Sequence, residues 1–373
     1  MGSVRRSPRT IGRPKIEATW DARYRDSNGH QRTKTFKRQA DAKAFIATTD
    51  ADVLRGEWVN PSSGKILLEN WIEDWWPSTT NLRRSTRVRD RGYIDRYLLP
   101  SFSGYRLDTI THTVVQNWVV ALTDRGLAPS TVKLAYGLMK KILETAVDTG
   151  LIRSSPCRKI SLPKIEHEEM RFLDPMQVEL LARSINQQYR VLILVGCYGG
   201  LRIGELAGLR LCRINFLKGT VEIAEIADET SGLLTYGPPK TRASRRIVSL
   251  PHSVMKELQD YVKEMEDPDG VVFTAPHGGG LRVNSWRRRF WLPAIKAAGL
   301  EPLRPHDMRH TAVAIWIAAG ASNLEVARRA GHTSTSFTLD RYGHLFPAAD
   351  EALRERLDAL IANVPNSSKK QDV

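Results

Sequence analysis

Two stretches without periodicity divide this chain, and they restrict its fold more than any motif does. Gly56 to Gly64, which includes Asn60-Pro61-Ser62-Ser63, and Ser154 to Glu169, which includes Pro156 and Pro163, interrupt sequence that is otherwise strongly patterned. Runs rich in Gly, Pro, Ser and Asn favour turning or extended backbone, so both read as linkers. The chain, at 373 residues, is also longer than one hydrophobic core supports, because cores rarely grow past ~250 residues. The expected partition is an N-terminal module over 1–60, a helical module over 65–155, a linker over 156–170, a third domain over 171–349 and a C-terminal helix and tail over 350–373.

Lys and Arg total 56 against 41 for Asp and Glu, a formal net charge of +15 that suits a polyanionic partner, nucleic acid first of all. Hydrophobic residues make up 41%, which excludes a largely disordered chain. Cys157, Cys197 and Cys212 stand far apart and form no CxxC pair, so neither a disulfide framework nor a thiolate zinc site is expected, in keeping with a reducing cytoplasm. The longest apolar stretch, Val191 to Tyr198, is far shorter than the ~20 residues that span a bilayer, so no membrane partner is expected.

Charge is concentrated at the N-terminus, where residues 1–40 hold eleven Lys or Arg against Glu17, Asp21 and Asp26. Ile16, Ala18, Trp20, Ala22 and Tyr24 alternate with polar residues, the pattern of a half-buried strand. Asp26-Ser27-Asn28-Gly29 reads as a turn, Arg32 to Lys37 as the returning strand, and Gln39 to Arg55 as a helix covering one face with Ala40, Ala44 and Phe45. Arg23, Arg25, Arg32 and Lys34 are expected on the face away from Trp20 and Tyr24, where they would meet DNA, with Arg5 and Arg6 nearby. A merely solvated basic face is the plainer alternative.

Beyond the first linker, Ile66 to Trp76, Arg87 to Leu99, Val114 to Thr123 and Ser130 to Thr149 carry apolar residues at helical spacing, with Pro100, Gly126 and Gly150 as stops. Arg83, Arg84 and Arg87 at the second helix and Lys133 and Lys140 on the fourth suit phosphate contacts, whereas Trp71, Trp75 and Trp76 suit the core. The third domain mixes helices at Asp174 to Ile185 and Tyr189 to Gly196 with strands at Thr220 to Ala227 and Arg246 to Leu250, and is mainly helical from Asn284.

A P-loop, a GxSxG elbow, an HExxH and a dinucleotide-binding fingerprint are all missing. His306 and His310 have zinc-gripping i,i+4 spacing, but Arg309 between them would repel a cation, and no metal or nucleotide cofactor is expected. Four segments place charged or polar residues in apolar or glycine-bearing contexts: Gly199 to Leu206 around Arg202, Gly237 to Thr241 around Lys240, His306 to Thr311, and Gly331-His332 ahead of Tyr342.

With these segments in this order and spacing, the chain resembles the tyrosine recombinase (phage integrase) family, including the integrases of actinobacteriophages that carry an arm-binding domain. The resemblance implies a multidomain α+β chain: a three-stranded sheet plus helix that binds arm sites, an all-α core-binding domain, and a mainly α catalytic domain with a small sheet. It places the family's active-site residues on Arg202, Lys240, His306, Arg309, His332 and Tyr342. Gly200 departs from many relatives, which carry Thr. The resemblance also implies double-stranded DNA with core-type and arm-type sites, a homotetramer on DNA that exchanges C-terminal segments, a host DNA-bending protein and an excision or directionality factor.

Such residue types suit transfer of a phosphodiester to a protein hydroxyl. The bond is stored as an ester, and two guanidiniums stabilise charge on the non-bridging oxygens. In that scheme Tyr342 is the nucleophile, Arg202 and Arg309 hold the phosphate, His306 is the base, Lys240 the acid, and His332 a donor to a phosphate oxygen. Arg202 could instead simply pair with Glu205, and His310 could be core or support. Arg242, Arg245 and Arg246 read as phosphate contacts. A type IB topoisomerase uses similar chemistry without a second site, and a non-catalytic DNA-binding regulator would need the six residues to be coincidental.

Overall fold

The computed structural model describes residues 2–8, 18–25, 30–55, 58–60, 62–165, 170–239, 241–332, 334–345, 354, 357–359 and 361. Its contacts fall into two compact units, Met1–His167 and Glu168–Val373, and the break lies within the second expected linker. Among the described residues no helix is long and apolar enough to cross a membrane.

The first unit opens with an antiparallel sheet, β1 (Ser3–Arg6), β2 (Trp20–Arg25) and β3 (Gln31–Phe36), in the order β1-β2-β3. Helix α1 (Gln39–Leu54) packs on it through Ala42 and Ile46, with Val4, Trp20, Phe36 and Phe45 around them. Ala42, Ile46 and Thr49 follow helical spacing and take the place of Ala40 and Ala44, which are exposed, while Phe45 packs on the sheet as expected. The register also corrects the expected charge placement. Tyr24 pairs with Arg32 and Ala22 with Lys34, and directly paired residues point to the same face. Arg32 and Lys34 therefore flank the helix-covered face, where the Lys34 ammonium sits 4.7 Å from the Phe45 ring centroid. By the same register, Arg6 shares that face opposite Trp20, while Arg5 lies opposite Asp21 on the open face with Arg23 and Arg25. The expected turn at Asp26 to Gly29 lies outside the described residues.

The helical part of this unit comprises α2 (Leu68–Trp75), α3 (Arg84–Tyr93), α4 (Leu99–Phe102), α5 (His112–Asp124) and α6 (Pro129–Asp148). Its core gathers Leu68, Ile72, Ile94, Leu98, Val115, Met139 and Leu143, and the buried indole of Trp71 donates to the Ile142 carbonyl at 3.0 Å. Trp71 and Trp75 are core, as expected, while Trp76 is half-buried beneath the Arg87 guanidinium, 5.2 Å from the ring centroid. Pro100 is not a stop: a single wide turn at Ile94–Leu98 precedes it and the helix resumes through it. Such a turn can absorb the proline's missing donor. Gly126 and Gly150 do end helices, in left-handed backbone at φ 76° and 70°. Arg83, Arg84, Lys133 and Lys140 are exposed.

In the second unit the buried helix α8 (Arg190–Gly199) is the axis, and α7 (Pro175–Ser184) precedes it under a reciprocal cap between Asp174 and Gln177. After α9 (Ile203–Ala207) come β4 (Ile214–Asn215), β5 (Thr220–Ile223), the hairpin β6 (Ile226–Thr230) and β7 (Leu233–Gly237), and β8 (Arg246–Ser249). Strands β4, β5 and β8 form a small antiparallel sheet in that order. The expected single strand from Thr220 to Ala227 is thus split between the sheet and the hairpin. Helices α10 (His252–Tyr261), α11 (Val283–Trp286), α12 (Leu292–Ala297), α13 (Asp307–Ala318), α14 (Asn323–Ala330) and α15 (Thr335–Tyr342) complete the unit. Most of the expected C-terminal helix and tail lies outside the described residues.

Candidate active site

Helix α8 ends at Gly199, and Gly200 follows it in left-handed backbone at φ 66°. A Cβ at Gly200 would lie 2.5 Å from the Trp316 ring, so in this chain the turn into Arg202 requires glycine on two counts, and the Thr expected of many relatives at this position would not fit it. Helix α14 ends in the same way. Gly331 takes φ 62°, a Cβ there would meet the Ala243 carbonyl oxygen at 2.8 Å, and His332 comes next. Arg309, 3% exposed on α13, ties the two helix ends together: Nη1 donates to the Gly200 carbonyl at 2.8 Å and Nη2 to the Ala330 carbonyl.

Arg202 caps α9, and Glu205 one turn on holds it twice, accepting from its backbone amide and from Nη1, both at 2.8 Å. The Glu205 carboxylate also accepts from both terminal nitrogens of the buried Arg246, at 3.1 and 3.0 Å. Burial pushes the Glu205 carboxyl up, but Arg246, and after it Arg202, outweigh this and leave it below its ordinary range. The expected pairing of Arg202 with Glu205 is thus seen. Arg246, expected as a phosphate contact, is instead buried against Glu205, with Nε donating to the Arg329 carbonyl at 2.6 Å.

The Tyr342 phenol closes α15 and is 1% exposed, with its oxygen 2.5 Å from Nδ1 of His310. Its ring stacks parallel to His332 at 6.4 Å between centroids, and His332 Nδ1 is 2.8 Å from the Thr338 hydroxyl. His306 sits edge-on to His310, centroids 4.8 Å apart, so the order across the site is His306, His310, Tyr342, His332. Burial raises the phenol's pKa against the pull of Arg309. Burial, and next the charge of His306, pushes His310 down to about 4; burial and then Arg309, Arg202 and Arg246 push His332 to about 4. His306 is exposed by area, yet its inner side is desolvated, and this together with Arg309 and Arg202 lowers it too.

Arg202 and His332 line an open cleft of about 410 Å³ together with Thr241, Ser244 and Phe337. Two guanidiniums, Arg202 and Arg246, converge here on the Glu205 carboxylate, and the buried Arg309 lies beside them; burial first, and then Arg309 and Arg202, depress His332. Of the six expected residues, Arg202, His306, Arg309, His332 and Tyr342 come together across 140 positions. Lys240 and the Arg242 side chain lie outside the described residues. Glu205 and His310 were open alternatives in the sequence. Their only signal was proximity, one turn after Arg202 and next to Arg309.

A mainly helical unit with a small sheet that sets a buried phenol beside clustered guanidiniums and imidazoles suits a DNA strand-transferring enzyme of the tyrosine type. The profile of the phage integrase family matches residues 171–348 and that of the phage integrase N-terminal SAM-like domain matches residues 67–123, and the chain belongs to this family. It is a site-specific integrase of the tyrosine recombinase type. A protein described as a prophage phiRv2 integrase of Mycobacterium tuberculosis is 26% identical over 357 residues, covering 92% of this chain and 93% of that protein. The integrase of Mycobacterium phage L5 is 24% identical over 340 residues, covering 88% and 90%. Among solved structures, the Tn1549 transposon integrase in complex with transposon right end DNA has the same fold, with TM-score 0.68 and 18% identity over 79% of this chain and all of that one.

Proposed function

We propose that the chain recombines double-stranded DNA through a 3′-phosphotyrosine ester on Tyr342, with the scissile phosphate held by Arg202 and Arg309. The observation that carries this is the parallel packing of the Tyr342 ring on His332, which itself lines the cleft with Arg202. The phosphate's negative charge would be matched by the converging guanidiniums, and transfer to the phenol conserves bond energy, so rejoining needs no nucleotide. His332 donates to a non-bridging oxygen. His306, lowered by burial and then by Arg309 and Arg202, is the base and is unprotonated near neutral pH. Lys240 is the acid for the departing 5′ oxygen.

The open face of the N-terminal sheet, with Arg5, Arg23 and Arg25, is proposed to read arm-type sites within residues 1–60. Arg6, Arg32 and Lys34 act from its rim. Residues 65–155, through Arg83, Arg84, Arg87, Lys133 and Lys140, and residues 171–349, through Arg242 among others, hold the core-type site, with 156–170 as the linker between them. A homotetramer on DNA, joined through residues 350–373, a host DNA-bending protein, an excision factor and action in the bacterial cytoplasm complete the proposal. The resemblance to phage integrases supports these parts. Incubation with a nicked suicide duplex tests the core of it: the wild type accumulates a covalent protein–DNA adduct and Tyr342→Phe forms none. An adduct with Tyr342→Phe refutes the reading.

A further inference from the structure

The phenol's partner is His310. Its Nδ1 lies 2.5 Å from the Tyr342 oxygen, both groups are buried, and the His306 ring stands behind His310, edge-on to it. Among the described residues the Tyr342 phenol has no other hydrogen-bond partner. Resting on the reading of Tyr342 as nucleophile, we propose that His310 is the positioning residue of the reaction: its Nδ1 accepts the phenol proton in a hydrogen bond and sets the direction of the attacking oxygen.

Three features support this. His310 lies on α13, one residue after Arg309, so a single helix carries both the guanidinium that joins the two glycine caps and the acceptor that aims the phenol. The adjoining apolar cluster of Ala312, Val313, Trp316 and Ile317 packs that helix with Val326 and Ala330 of α14 and with the Tyr342 ring. The protonation states also agree: burial keeps the imidazole neutral and the phenol protonated, so the proton resides on oxygen, Nδ1 is the acceptor, and the imidazole proton is on Nε2. A buried hydroxyl that loses its acceptor turns to find another, and misplacing a nucleophile by about 1 Å can cost about 100-fold in rate. His310 thus acts through Tyr342, whereas Arg202, Arg309 and His332 act on the phosphate.

The test separates hydrogen bonding from packing. Asparagine places its carbonyl oxygen near the Nδ1 position, glutamine places its amide near Nε2, and leucine supplies bulk without an acceptor. Single-turnover adduct formation on the suicide duplex is measured for His310→Asn, His310→Gln and His310→Leu, alongside core-site affinity and thermal melting. The expected result is a rate for Asn within about three-fold of wild type and rates for Gln and Leu at least ten-fold lower, with affinity unchanged. If Leu fails to melt cooperatively, the Asn and Gln contrast decides. Equal or faster rates for Gln and Leu, or an Asn variant as slow as Gln, overturn the inference. Tyr342→Phe in parallel keeps it distinct from the nucleophile reading: an adduct there refutes that reading instead.

Discussion

Arg309 donates to the Gly200 carbonyl at 2.8 Å, so the guanidinium at the centre of the site depends on a helix cap that only glycine can form. The same turn releases Arg202 into the cleft, and Trp316 closes over it with its indole donating to the Tyr198 carbonyl at 2.9 Å. One backbone conformation therefore sets the positions of both Arg202 and Arg309.

Gly200→Ala should for that reason be costly. Left-handed backbone in a non-glycine residue costs about 1–2 kcal/mol, and the displaced Trp316 adds to it. Denaturant unfolding should show a loss of at least about 2 kcal/mol, and adduct formation should fall. A variant as stable and active as wild type would mean that the cap is not constrained.

Glu205→Gln leaves Arg246 buried without its counter-charge. Breaking a buried ion pair costs about 3–5 kcal/mol, and the amide retains one acceptor, so a loss near 3 kcal/mol is expected in urea denaturation. Arg202 loses its aim at the same time, so cleavage should fall together with stability. A change below about 0.5 kcal/mol would refute this.

Acid should destabilise the second unit through its histidines. His310 and His332 are held to about 4 by burial and their cationic neighbours, against about 6.5 for an ordinary histidine. The unfolded chain binds these protons first, so stability is full above pH 6.5 and falls as pH drops toward 4. The loss approaches about 3 kcal/mol for a fully buried imidazole and is smaller for the half-buried His332. Melting temperatures from pH 8 to 4 should fall more steeply for wild type than for His310→Asn, and equal slopes would contradict this origin.

On the N-terminal sheet, Arg23→Ala and Arg25→Ala should weaken arm-site binding and each reduce the salt slope by about 1, leaving core-site cleavage intact. Lys34→Ala should act more on stability, through the lost contact with Phe45, than on DNA affinity. The reverse pattern in DNA titrations at several salt concentrations would move the binding face to the helix side.

Much of this was legible in the residues, and the misses have physical causes. The segments around Arg202, His306-Asp307-Met308-Arg309 and Tyr342 stood out because charged groups in apolar or glycine-rich contexts are costly without a purpose. The face of Arg32 and Lys34 was not legible. Alternation sorts residues within one strand, but which residue sits opposite Tyr24 depends on the turn between the strands, and one step of register inverts every side chain. In α1 the alanines at 40, 42, 44 and 47 make the covered stripe ambiguous until the sheet is present. His310 and Glu205 were visible as neighbours of Arg309 and Arg202, but their partners, Tyr342 and Arg246, lie 32 and 41 residues away.

The most direct test is to digest the trapped protein–DNA adduct and identify the modified peptide by mass spectrometry. The account predicts a nucleotide joined through its 3′ phosphate to Tyr342. Attachment at any other residue, or through a 5′ phosphate, would contradict it.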